Sequence, residues 1–180
     1  MSIGNKTRLE VQEILKNCIE EGLKRFGYTR WSAKEFANAS FQNADGVVLM
    51  NRLRSRRVGW QANRYAVGTG GLARVDELID EQHWQLSVIK KRTNTTTADD
   101  ALAEDVADNL VTWFNGVGCE WLRGHGVASL RIDADSVIVY NDNSDLYQKR
   151  AVFTVKLQVP KEVKQEQAEM EAVKPRLMPI

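Results

Sequence analysis

Apolar residues recur at Val11, Ile14, Leu15, Cys18, Ile19, Leu23 and Phe26, the three-and-four spacing of one buried helix face. Glu10, Glu13, Lys16, Glu20, Glu21 and Lys24 fall mostly on the other side, so residues 7–26 predict an amphipathic helix. Thr7 with Glu10 three positions on has the form of a capping box, and Gly27 offers a left-handed stop. Residues 28–45 mix helix formers (residues 33–39) with Asn38, Ser40, Asn43 and Asp45, which predicts irregular chain with one helical turn before a turn at Gly46.

From Val47 the period changes from 3.6 to 2. Residues 47–57 and 58–67 predict extended chain, and Gly68-Thr69-Gly70-Gly71 predicts a flexible turn. Residues 72–80 and 81–91 predict two further strands, with Trp84, Leu86 and Val88 sharing a face. A polar loop at residues 92–96 leads to a second helix. Thr97 can cap it, Asp99 and Asp100 occupy its first turn, Leu102, Val106, Leu110, Trp113 and Phe114 line its buried face, and Gly116 ends it. Residues 120–123 predict a short further helix, residues 127–133 and 136–140 two strands, and residues 141–145 a turn. Residues 150–159 alternate most cleanly: Ala151, Phe153, Val155, Leu157 and Val159 face one way, and Val152, Thr154, Lys156 and Gln158 the other. Pro160 is expected to end that strand. The element order predicts an α+β fold, a mixed, mostly antiparallel β-sheet packed by two main helices. Residues 1–160 form the domain, and residues 161–180, rich in Lys, Glu and Gln, are expected to be a mobile tail.

Composition narrows the function classes. The 180 residues suit one domain, and 43% hydrophobic with 27% charged residues excludes wholesale disorder. Twenty-five basic against 24 acidic residues leave a formal charge of +1, so no global field draws the chain to nucleic acid or membrane. Near-neutrality also removes the repulsion that keeps copies apart, a pointer to self-association. Two distant cysteines, Cys18 and Cys119, make no disulfide framework and read as small buried hydrophobes. No apolar run is long enough to span a bilayer and residues 1–6 do not resemble a signal peptide, so a soluble cytoplasmic product without membrane partners is expected.

Candidate chemistries fall away in turn. The two histidines, His83 and His125, have no neighbouring ligand at zinc spacing. Asn141, Asn143 and Asp145 imitate the start of a calcium loop, but Leu146 and Val152 stand where its Gly and closing Glu belong. Residues 68–71 lack the Lys-Ser/Thr of a phosphate loop and open toward a strand pattern. No nucleophile elbow is present, Asp99 with Asp100 suits a helix N-terminus, and Asp133 with Asp135 suits a turn. The expectation is a protein without catalytic residues, cofactor or metal.

One concentrated feature remains. Arg52, Arg54 and Arg56 alternate on a predicted strand and would project from one face, with Arg57, Arg64 and Arg74 nearby. Such a stripe serves a subunit or partner contact, a plain solvated face, or phosphate contacts, and it has no interleaved aromatic platform.

Several strings resemble tailed-phage neck gateway and tail-terminator proteins. They are Phe41-Gln42-Asn43, the apolar strand of residues 47–50, Arg57-Val58-Gly59-Trp60-Gln61, residues 81–87, Thr97-Ala98-Asp99-Asp100-Ala101-Leu102, residues 126–132, the turn at 142–145 and the strand of residues 150–159. The resemblance runs from about residue 9 to 159 and does not reach the segment after Pro160. It implies a structural virion protein of the head–tail junction, present in host cytoplasm during assembly, forming a homohexameric ring. That ring would end the tail tube, meet head-side connector or collar proteins, and touch sheath proteins if the tail is contractile. Genome DNA would be a partner only in transit through the lumen. A closed ring needs two different complementary surfaces on each subunit. Arg52, Arg54 and Arg56 are candidates for one, and the acidic Asp76, Glu77, Asp80 and Glu81 for the other. A head-completion adaptor, a minor tail protein, and a small α+β enzyme or cellular binding module are the alternatives.

Overall fold

A computed structural model describes residues 5–35, 44–68, 71–91, 102–133, 137–141 and 147–166. In chain order the elements are α1 (Arg8–Arg25), β1 (Trp31–Glu35), β2 (Gly46–Gly68), β3 (Gly71–Lys91), α2 (Ala103–Asn115), α3 (Val117–Gly124), β4 (Ala128–Ser129), β5 (Ile138–Asn141) and β6 (Tyr147–Glu166). The fold is α+β. The strands make one sheet in the order β1-β2-β3-β6-β4, with β5 also paired to β6; only β1 with β2 is parallel.

α1 begins where its capping pair predicts. The Thr7 Oγ1 accepts from the Glu10 N–H at 3.2 Å, and the Thr7 N–H donates to Glu10 Oε2 at 2.5 Å. Gly27 follows the helix at φ +82°, a conformation that a side chain would strain. The second helix starts later than expected: Leu102 is its N-cap, with Glu104 and Asp105 in the first turn. Asp105 Oδ2 accepts from the Leu102 N–H at 3.3 Å. Thr97, Asp99 and Asp100 lie outside the described residues. The predicted turn over residues 68–71 is framed by Gly68 opposite Gly71 in register, while Thr69, Gly70 and the 142–145 turn lie outside them.

The helices cover one face of one end of the sheet. Val48 and Met50 of β2, Trp84, Leu86 and Val88 of β3, and Ala151, Phe153, Val155, Leu157 and Val159 of β6 join the buried faces of α1, α2 and α3 in one core. A smaller cluster of Ala44, Val47, Leu49 and Ile89 sits on the opposite face. Trp113 locks the helix layer: its Nε1 donates to the Cys18 carbonyl at 3.0 Å, and Gly22 and Gly118 both leave room for its ring. Burial pushes the Cys18 thiol up to about 12, as befits a cysteine used as a core hydrophobe. No helix among the described residues is long and apolar enough to cross a membrane.

Four further sequence expectations change. Residues 31–35 form a strand, not a helical turn, because β1 lies alongside β2 with Trp31 and Ala33 buried beneath α1. The paired short strands predicted on either side of the Gly-rich turn are in fact single strands of 23 and 21 residues. Pro160 does not end β6, which continues to Glu166 opposite β3; among the described residues β6 has no strand neighbour on its outer flank there, a place where a missing N–H is tolerated. Residues 161–166 therefore belong to the sheet, and residues 167–180 lie outside the described part. The strands predicted over residues 127–133 and 136–140 are shorter, as β4 and β5.

Candidate functional site

Past the helix-covered core, β2, β3 and β6 run on as a three-stranded arm, with β3 central from Ala73 to about Trp84. Its middle strand carries a polar run. Asp76, Asp80, Glu81, Gln82 and His83 are all buried, a state that polar groups accept only when partners satisfy them. The period of 2 sends these residues to opposite faces, and each face holds its own chain of contacts.

On one face, Glu81 Oε1 accepts from Arg56 Nε and Nη2, each at 2.9 Å, and lies 2.7 Å from His83 Nε2. Arg54 Nε donates to His83 Nδ1 at 3.4 Å. Since Nδ1 accepts, the network assigns the ring proton to Nε2, which donates to Glu81. The His83 hydrogen bond, opposed by partial desolvation and supported by Arg56, holds the Glu81 carboxyl below its ordinary range. On the other face, Lys161 Nζ lies 3.5 Å from Asp80 Oδ2, the same oxygen accepts from Gln82 Nε2 at 3.0 Å, and Gln82 Oε1 accepts from Trp84 Nε1 at 3.3 Å. Farther out, Arg74 Nε pairs with Asp76 Oδ1 at 2.9 Å.

The predicted stripe is split by a bulge. Arg52 lies opposite Trp84 and Arg54 opposite His83, so Leu53 is an extra residue and the alternation inverts across it. Arg54 and Arg56 then share a face with His83 and Glu81, while Arg52 stays on the face of Trp84, half-buried, with its Nε unpartnered. A period-2 reading of residues 52–56 cannot see that insertion. Nor are the arginines and the acids separate patches. Arg56 pairs with Glu81 inside one chain, Arg57 stands opposite Asp80, and Asp76 is held by Arg74. Glu77 is half-buried and stands directly across from Glu162 of β6. The part of His83 in joining Arg54 to Glu81 had no signal in the sequence beyond its place within a polar run on a strand.

The two edges of the sheet differ. β1 covers β2 only at residues 46–50, so beyond Met50 the outer edge of β2 has no strand neighbour among the described residues. The outer edge of β6 is occupied by β5 at residues 149–152 and by β4 at 157–158. The Asn5 side chain closes it farther out, donating to the Glu162 carbonyl at 2.6 Å and accepting from the Glu162 N–H at 2.7 Å. Exposed arginines and bulges on an open edge oppose indiscriminate strand pairing.

Two clefts accompany this arrangement. One of about 400 Å3 lies between α1 and β1, lined by Gln12, Glu13, Lys16, Glu20, Lys34 and Glu35 among others. Gln12 donates to Glu35 beside it. The other, of about 290 Å3 and largely apolar, lies where Ile79 and Pro160 of the arm meet Val127 and Ala128. Among the described residues no three His, Cys, Asp or Glu side chains gather as a metal would need.

The model of the family described as E217 gateway protein gp29 matches residues 10–169. No curated protein matches the chain. The match spans the helix-covered body and the whole arm, so the chain belongs to the E217 gateway protein gp29 family, a family of phage gateway proteins of the neck.

Proposed function

We propose that this chain is a structural component of the phage neck: a ring of six copies that ends the tail tube and joins it to the head-side connector, leaving a channel for DNA. The observation that carries the reading is the family match across residues 10–169, which takes in the arm as well as the body. The long arm with unlike edges supports it, because a closed ring uses two different surfaces of each subunit. In this reading the tail tube protein and the head-side connector or collar proteins are the stable partners, with sheath proteins added in a contractile tail. DNA is met only in passage, in keeping with a formal charge of +1. Arg52, Arg54 and Arg56 with Glu77 act at subunit or partner contacts, whereas Asp76, Asp80 and Glu81 brace the arm from within.

Electron microscopy of particles made without the protein tests this reading. Overlong tails, or tails unjoined to heads, are expected. Unsealed heads with normal tails would instead assign the protein to head completion, and normal particles would remove it from the neck.

A further inference from the structure

The bulge at Leu53 brings Arg54 and Arg56 onto the sheet face that carries Lys156. Arg54, His83 and Lys156 form one row across β2, β3 and β6, so Arg54 and Lys156 stand about 10 Å apart over two strand spacings. Asn51, Gln85 and Thr154 make the next row toward the core, and Arg56, Glu81 and Gln158 the next row outward. None of these side chains is apolar. Asn51, Arg54, Arg56 and Lys156 are exposed, and Gln85, Thr154 and Gln158 are half-buried.

The charge of this block is unbalanced. Three cations meet one acid, a formal charge of +2 on one face of a chain whose total is +1. The acid, Glu81, is buried and already bonded to Arg56 and His83. Arg54 is bonded to the imidazole of His83, and Lys156 has no carboxylate partner among the described residues. Protein–protein contacts are built on an apolar centre from which charge is depleted, whereas protein–DNA contacts are polar and strongly positive. The block has the second composition. It holds no aromatic side chain on which a base could stack, so what it offers is contact with the phosphates of a duplex.

We propose that this face of the arm meets the phosphate backbone of double-stranded DNA, with Arg54 and Lys156 making the contacts and Arg56, held by Glu81, beside them. The inference rests on the ring reading above: it turns this face toward the channel and makes the passing DNA the partner of these side chains. About two or three phosphate contacts per subunit are weak, salt-sensitive and independent of base sequence, so they guide a duplex without stopping its passage.

Fluorescence anisotropy of the purified full chain with a short random-sequence DNA duplex tests it. Affinity should fall as salt rises, with a slope of log K against log salt of about −2 to −3. Arg54→Gln combined with Lys156→Gln should lower the affinity about tenfold at low salt and flatten the slope by about 2, with an unchanged circular dichroism spectrum. Arg8→Gln combined with Lys24→Gln removes the same charge from exposed positions of α1 and should change neither. No binding by the unaltered chain, or an equal loss in the two double variants, would overturn the proposal. In particles, Arg54→Cys carrying a photoreactive group in a Cys119→Ser background should cross-link to the genome, and Glu20→Cys, on α1, should not. Joined particles that contain the protein but give no DNA cross-link from residue 54 would overturn the proposal and leave the neck role standing. Cross-linking of residue 54 to a second copy or another virion protein in place of DNA would assign the face to a protein contact and overturn it too. A protein missing from the particles would remove the neck role, and this contact with it.

Discussion

The same three strands are stabilised in two ways along their length. Near α1 and α2, β2, β3 and β6 contribute Val48, Met50, Trp84, Leu86, Phe153 and Val155 to a core where burial of apolar area supplies the free energy. In the arm, β3 contributes Asp76, Asp80, Glu81, Gln82 and His83, and burial there is achieved by flanking side chains and paired charges. Packing of the first kind acts on the whole molecule. Hydrogen bonds of the second kind each return only about 0.5–3 kcal/mol net, the upper part for those to charged groups, yet they penalise any rearrangement that strands a buried donor or acceptor. The body is held by quantity and the arm by specificity.

The largest expected effect lies in the body. Phe153 is about 2% exposed in the middle of β6 and packs into the core beneath the helix layer. Phe153→Ala should cost about 3–5 kcal/mol in chemical denaturation, since the cavity lies between a sheet and helices that cannot close on it. A loss below about 1 kcal/mol would mean that the two ends of the strands do not differ in this way.

Next comes the joint between the helices. A Cβ at Gly118 would lie 2.6 Å from Trp113 Nε1 and 2.7 Å from the Trp113 carbonyl oxygen. Gly118→Ala should therefore destabilise by about 1–3 kcal/mol despite the better helix propensity of alanine, because the ring is fixed by its bond to the Cys18 carbonyl. Stabilisation in a thermal melt would show that Trp113 can move, and that the helix layer is looser than its burial implies.

How far the sequence announces these regions follows from the same physics. Apolar periodicity shows where burial is apolar, so α1 with its cap at Thr7, the inward face of β6 and the α+β class are legible in it. β1 is not, because Ala33, Lys34 and Glu35 are helix formers that become a strand only when β2 lies alongside. The interface candidates were half-legible. Clustered arginines and acids could be seen, but a one-residue bulge at Leu53 decides which arginines share a face, and cross-strand register decides that Glu81 belongs to Arg56. Neither leaves a mark in residue spacing. The continuation of β6 through Pro160 was hidden for a related reason: proline's cost depends on whether its flank has a neighbour.

The smallest effect, and the sharpest test of the contrast, is in the arm. Glu81→Gln keeps an acceptor oxygen for Arg56 and His83 but removes the charge that strengthens both bonds, so a loss of about 1 kcal/mol at neutral pH is expected. The loss should depend on pH in one direction. The native carboxyl sits below its ordinary value of 4.5, chiefly through His83, so its contribution is complete above that value and fades as pH falls through the lower native one. Glutamine does not titrate. The stability difference between the two proteins, measured by urea unfolding across pH, should accordingly be constant near neutrality and shrink toward zero in acid. A difference as large as that of Phe153→Ala would mean that the arm's polar chain sustains the whole fold. One that fails to shrink in acid would mean that Glu81 acts through its shape, leaving the arm's specificity to the arginines at its edge.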